Sequence, residues 1–218
     1  VSTVHEKMQS EGQIIEQLTK LFTVYGCSPD AQHLLIQIST IPNIQFAFEQ
    51  AKKWFGLKNR TQLNNLAKKG WIKKESLCDN GRRHYFYYIH SVIASAIRAQ
   101  FTNQLYDACQ KFIYEITLEM KDIRSQNDDA KKELIQFSWS LNDIFQGQFH
   151  SENDCDFLWA LAEIYRDIGY YTRAIPLLDL LFSLYTKLYG DNCLQLGSVF
   201  NSKGMIEYNL SHFSTALD

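Results

Sequence analysis

Apolar and polar positions along the chain recur with two periods. Ile14, Ile15, Leu18, Leu21, Phe22 and Tyr25 follow Gly12 at helical spacing and stop at Gly26, which predicts a helix burying one face. Ser28-Pro29-Asp30 reads as a helix start. Ser28 offers an acceptor to the free N–H groups, and Pro29 stands where its missing N–H is not needed. That second helix carries Leu34, Leu35, Ile36 and Ile38 and fades at Thr40-Ile41-Pro42. Asn43 is expected to cap a third helix with Ile44, Phe46, Ala47, Ala51, Trp54 and Phe55 on its buried face, ended by Gly56. Over Asn59 to Ile93 the pattern changes twice. Leu63, Leu66 and Ala67 share a helix face that Gly70 terminates, then Trp71 and Ile72 open a strand. Asp79-Asn80-Gly81 supplies turn chemistry, since Asn and Gly tolerate positive φ. His84 to Ile89 is a strand by aromatic density, and from Ile89 the period returns to 3.6. Short helices followed by a hairpin predict a compact winged helix.

Beyond the hairpin the pattern is helical. Residues 89–118 form one long periodic stretch or two abutting helices, marked by Val92, Ile93, Ala96, Ile97, Leu105, Ala108, Phe112, Ile113 and Ile116. A polar break at 124–129 precedes a helix bearing Leu134, Ile135, Phe137, Trp139, Leu141 and Ile144, and 146–154 reads as a polar loop. The fold class expected is mainly α: a winged helix with a small β-hairpin, then an array of α-α hairpins. The winged-helix domain with an N-terminal linker helix spans 1–98, and the helical repeat domain, truncated, spans 99–218.

Composition narrows the class. Five widely spaced cysteines with no CxxC pair predict reduced thiols in a cytoplasmic protein, with neither disulfide framework nor zinc site. No apolar run approaches the length of a membrane span. The chain begins at Val1 without Met and stops at Asp218 inside a helical pattern, so it reads as a piece of a longer protein. The total charge of −2 hides an asymmetry. Residues 51–90 hold ten Lys and Arg against Glu75 and Asp79, a net of +8 that leaves −10 for the remainder. A basic block in an acidic chain predicts a phosphate-bearing or acidic partner surface.

The run LLIQISTIPN, FEQAKKWFGL, LNNLAKKGWI and YYIHSVI resembles the winged-helix segment of STAND signal-transduction ATPases, the NB-ARC group. In that family the segment follows the nucleotide-binding core and ends in a motif whose histidine reaches the β-phosphate of ADP. The resemblance, over residues 12–100, makes His90 of Ile89-His90-Ser91 the nucleotide-sensing residue of the parent protein. Ser91 departs from the Asp or Pro of the family motif. The other reading of His90 is a partly buried histidine at a strand-to-helix junction. This chain has no GxxxxGK[ST], so no cofactor is expected on it, and its nucleotide-binding core would be an intramolecular partner.

The last third contains a repeat. Leu161 to Ala174 aligns with Lys203 to Ala216 at a constant offset of 42, pairing Ala162 with Gly204, Ile164 with Ile206, Ile168 with Leu210 and Tyr171 with Phe213. Small residues at Ala162 and Ala174 let two helices approach closely, and Tyr171 plugs the corner. This is similar to the tetratricopeptide repeat (TPR) in its kinesin-light-chain-like form, the longer second helix ending at Leu188 to Asp191. Two copies bury little continuous core, so further repeats are expected downstream, with 99–148 as an irregular first helical pair. The resemblance implies a protein or peptide ligand on the concave face, met by Asp156, Trp159, Glu163, Arg166 and Asp167 from one copy. Ser198, Asn201, Met205, Tyr208 and Asn209 would come from the other. Asn201 leads, because its amide both donates and accepts. The alternative is that these residues pack against a neighbouring repeat.

No catalytic pattern is present: no GxSxG, no HExxH and no local Cys/His pair. His150, Glu152, Asp154, Cys155 and Asp156 match no calcium or zinc spacing, so a solvated loop is expected there. Two function classes stand. One is a non-catalytic regulatory and protein-interaction fragment of a STAND-type ATPase. The other is a DNA-binding regulator that reads the groove with Asn59 to Lys69 and sets Lys68, Lys69, Lys73, Lys74, Arg82 and Arg83 on phosphates. No membrane partner is expected from either.

Overall fold

The computed structural model describes residues 27–79, 82–123, 126 and 128–210. Among them the chain is mainly helical with one small antiparallel sheet: α1 (Pro29–Ile38), β1 (Phe46–Ala47), α2 (Phe48–Phe55), α3 (Thr61–Lys68), β2 (Lys73–Asp79), β3 (Arg82–Tyr88), α4 (Ser91–Gln100), α5 (Thr102–Lys121), α6 (Asp128–Phe145), α7 (Glu152–Asp167), α8 (Tyr171–Tyr189) and α9 (Leu194–Asn209). The helix expected over 12–25, the Asn80-Gly81 turn, most of the polar break at 124–127, and the repeat positions from Phe213 to Ala216 lie outside the described residues. Two compact units divide between Glu115 and Ile116, inside α5.

In the first unit, Ser28 caps α1, its Oγ accepting the Ala31 N–H at 3.4 Å, with Pro29 at the first helical position. The third helix starts later than its apolar pattern predicts. Asn43 is not its cap, because Phe46 and Ala47 leave the helix to form β1. They pair with Tyr87 and Phe86 of β3, giving the strand order β1-β3-β2. Gln50 Oε1 then accepts the Ala47 N–H at 2.7 Å and closes the first turn of α2. The first hairpin strand likewise begins at Lys73, after Trp71 and Ile72. Of the two readings left open beyond the hairpin, two helices form, broken at Phe101.

Tyr87, Phe46, Trp54, Leu63, Leu66 and Ile72 are fully buried and form the centre of this unit. Phe112 of α5 joins them, its ring 5.5 Å from that of Trp54. Buried polar bonds fix α1 against α5. The Gln37 side-chain amide donates to the Ala108 carbonyl at 2.8 Å, and the Thr40 hydroxyl lies 3.9 Å from Cys109 Sγ.

The second unit is helices alone. α8 packs against α7 on one flank and α9 on another, and Ala162 and Ala174, placed to allow that approach, are buried. The loop expected over 146–154 ends earlier, at Ser151. Asp154 is buried in the first turn of α7, where Oδ2 accepts from the Ser151 and His150 backbone N–H groups at 2.8 and 2.9 Å and from Ser151 Oγ at 2.7 Å. This reciprocal cap satisfies donors that a helix start leaves free, which is why the acidic run is structural here.

Burial divides the cysteines. Desolvation pushes the Cys109 thiol up to about 12 and, with the Asp154 carboxylate adding to it, the Cys155 thiol to about 11, whereas Cys78 is exposed. A thiol raised in the folded state favours its neutral form. The stability tied to it is therefore complete below the ordinary value of 9.0 and is lost as pH climbs from there towards the folded value. Iodoacetamide at pH 8 is expected to modify Cys78 first and to reach Cys109 and Cys155 only on unfolding. Peptide mass mapping over a time course reads this, and early labelling of Cys109 would refute the packing of α1 on α5.

Candidate functional site

The residues singled out by sequence fall on three surfaces. His90 sits at the N-terminus of α4 with an exposed side chain. Its Nδ1 accepts the Val92 N–H at 3.3 Å, so in the neutral ring Nε2 carries the proton and can act as a donor. The partly buried alternative does not hold, because Ile89 takes the buried position beside it.

The basic surface surrounds α3 and the hairpin. Lys58, Arg60, Lys68, Lys69, Lys73, Lys74 and Arg83 are exposed, and none of them pairs with a carboxylate among the described residues. The backbone of Arg82 lies in strand register with that of Asp79 at the end of the hairpin. Several of these cations are held by rings and amides. The Arg60 guanidinium lies 4.9 Å from the centre of the Phe48 ring and 5.4 Å from that of Tyr85. Lys74 Nζ lies 4.2 Å from the same Tyr85 ring and donates to Asn64 Oδ1 at 2.8 Å. That oxygen also accepts from the Tyr87 hydroxyl at 3.2 Å. The side-chain oxygen of Asn64, an amide of the helix expected to read base edges, is thus occupied by Lys74 and Tyr87.

The third surface is carried by α7 and α9. Arg166 donates to Glu163 Oε1 at 2.7 Å and to Ser202 Oγ at 2.9 Å, and Ser202 donates back to Glu163 Oε1 at 2.8 Å. Asp167 stands 3.1 Å from the same guanidinium, and Asp156 pairs with Lys121 at 2.7 Å. Glu163 and Arg166, expected as exposed ligand contacts, are therefore partly buried and tie α7 to α9. Trp159 is half-buried. Ser198, Asn201, Met205, Tyr208 and Asn209 remain exposed, the Asn201 amide lying 3.9 Å from Met205 Sδ. Ser202 was not singled out by sequence. Its signal is the offset of 42, which sets it opposite Ala160 and puts a hydroxyl where the first copy has a methyl.

Burial itself recurs at that offset. Asp154, Phe157, Ala160 and Ile164 are buried on α7, and Leu196, Val199, Ser202 and Ile206 are buried on α9. The opposite face diverges: Leu158 is buried, while Phe200 is 58% exposed and touches Phe182 edge-on at 5.5 Å.

No protein-family model, no curated protein and no solved structure matches the chain.

If the α7–α9 link is a cooperative network, Arg166→Ala and Ser202→Ala should couple. A double-mutant cycle by urea denaturation is expected to give about 0.5–3 kcal/mol of interaction energy. Additive losses would mean that the two side chains are only neighbours.

Proposed function

We propose that this chain is a non-catalytic regulatory and protein-interaction module, a winged helix joined to TPR-like helices, from a STAND-type ATPase. The observation that carries the reading is the recurrence of buried positions on α7 and α9 at the same 42-residue offset as the sequence repeat. Shared spacing in sequence and in burial is what stacked helical repeats require, since each copy covers the next. The strand order β1-β3-β2, with three helices before the hairpin, supports the winged-helix half.

The partner surface in this reading is the exposed stretch of α9, with Asn201 and Tyr208 as its anchors and Met205 between them. Tyr208 is 64% exposed, and a large rigid ring loses little conformational entropy on binding. Glu163 and Arg166 position α9 and do not meet the ligand. Partner binding there would bias the winged helix between two arrangements, through differential affinity for them. His90 supplies the nucleotide link: an exposed ring with Nδ1 occupied presents a donor at Nε2, the atom that suits a phosphate oxygen.

A second reading, DNA binding, draws on the unpaired cations around α3. Its weakness is that Asn64 Oδ1 is already bonded within the fold, which leaves mainly Gln62 and Asn65, and no arginine, on α3 to read base edges.

In the intact parent protein, His90→Ala is expected to weaken ADP binding by about tenfold or more, the loss of one charge-assisted hydrogen bond. An unchanged ADP dissociation constant there would remove His90 from the switch. A duplex titration separates the two readings. A DNA-binding module with six or more phosphate contacts loses about 10³–10⁵ in affinity between 50 and 200 mM salt. Here we expect only weak binding with no sequence preference, and tight salt-sensitive binding to one duplex would favour the DNA reading.

A further inference from the structure

A groove in the helical unit is built from residues that precede Asn201 and Tyr208 in the chain and include neither. It has a volume of about 520 Å³ and draws its walls from α6, α8 and the end of α7. Trp139 of α6 is 46% exposed there, an uncommon position for the largest apolar side chain. The Arg173 guanidinium lies 3.7 Å from the centre of the Trp139 ring and 5.9 Å from that of Tyr165. Arg173 is exposed, and no carboxylate among the described residues pairs with it. The other described arginine of this unit, Arg166, is enclosed by Glu163, Asp167 and Ser202.

The cation also acts on the Tyr165 hydroxyl by a side-chain hydrogen bond and by its charge, and stacking on an indole, which fixes the guanidinium plane, leaves its other in-plane N–H donors for a planar anion. The side chain is thus ordered before any ligand arrives, which lowers the entropy lost on binding. A second feature of the groove is independent of Arg173. Pro176 lies inside α8 and has no N–H. The carbonyl of Thr172, four residues earlier, therefore lacks the N–H partner that any other residue at 176 would give it. Thr172 and Pro176 both line the groove, as do Leu177 and Leu180.

We propose that this groove binds an extended acidic peptide segment of a protein partner. A carboxylate of the peptide pairs with Arg173, a backbone N–H of the peptide donates to the Thr172 carbonyl, and an apolar side chain covers Trp139 and Leu180. The three requirements belong to a peptide. An inorganic anion supplies neither the N–H nor the apolar group, and a nucleic acid strand would meet only one cation here. The inference does not depend on the surface assigned to α9.

The test uses the whole chain. A randomised decapeptide library is selected on it, and the best binder is labelled with fluorescein for anisotropy titration. Selected peptides should share Asp or Glu beside an apolar residue. Arg173→Gln should weaken binding by about tenfold or more, the worth of a charged hydrogen bond. Changing the acidic residue of the peptide to its amide should cost the same on the wild-type chain and nothing further on Arg173→Gln. Arg173→Lys keeps the charge but not the planar fork, so it should fall between the two. Arg173 is exposed, so its variants lose little beyond the ring contact, about 0.5–1 kcal/mol, and their thermal midpoints should stay within several degrees of the wild type. Peptides without an acidic residue, no enrichment at all, or equal affinity for wild type and Arg173→Gln would each overturn the proposal.

Discussion

A helix with apolar residues on more than one side must be covered on more than one side, and α8 sets that condition for the second unit. Ala174, Leu177, Leu178, Leu181, Leu184 and Tyr185 are all buried, too wide a stripe for one neighbour to shield. α7 takes one flank and α9 another. Burying a leucine is worth about 1.5–3 kcal/mol, so this covering outweighs any single polar bond between the helices. The small side chains of Ala162 and Ala174 permit the approach, and the polar network of Glu163, Arg166 and Ser202 then fixes how α9 lies against α7. Apolar burial holds the helices together; the hydrogen bonds select their register.

The first unit follows the same division of labour. Its centre is aromatic, with Tyr87 and Phe46 facing one another across β1 and β3 at 6.1 Å. Around it, Gln37 reaches the Ala108 carbonyl, and Arg98 donates to the Ser39 carbonyl and to Ser95 Oγ. These bonds satisfy buried groups that would otherwise each cost about 1–3 kcal/mol. On the outer surface, the exposed cations of α3 and the hairpin form no carboxylate pair among the described residues, and Arg60 and Lys74 are held against Phe48 and Tyr85.

The contrast among arginines is what separates structure from function on these surfaces. Arg166 and Arg98 have their donors occupied within the protein, and their loss would be felt as stability. Arg60 and Arg173 are held against aromatic faces, a contact that orders a guanidinium without itself occupying its donors. A residue type alone does not distinguish these cases, because both kinds stand at helix surfaces in the sequence.

What the sequence determined by itself was local. Ser28-Pro29 announced the start of α1, the aromatic run His84 to Tyr88 announced β3, and the offset of 42 placed Ile164 and Ile206 at equivalent buried positions. The first two depend on spacing or capping within a few turns and the third on the chain repeating its own pattern, both of which a one-dimensional sequence records. The tertiary structure decided what depends on residues far apart. Phe46 and Ala47 fit a helical pattern, yet they pair with β3, because edge pairing with Tyr87 and Phe86 satisfies backbone that a longer helix would have used differently. Asp154 read as part of a solvated loop and is buried, because Ser151 and His150 turn their N–H groups onto it. Glu163 and Arg166 read as ligand contacts and are bonded to Ser202, 39 and 36 residues away in sequence. The sequence shows which groups can form a bond; only the folded chain shows which of them have already formed one.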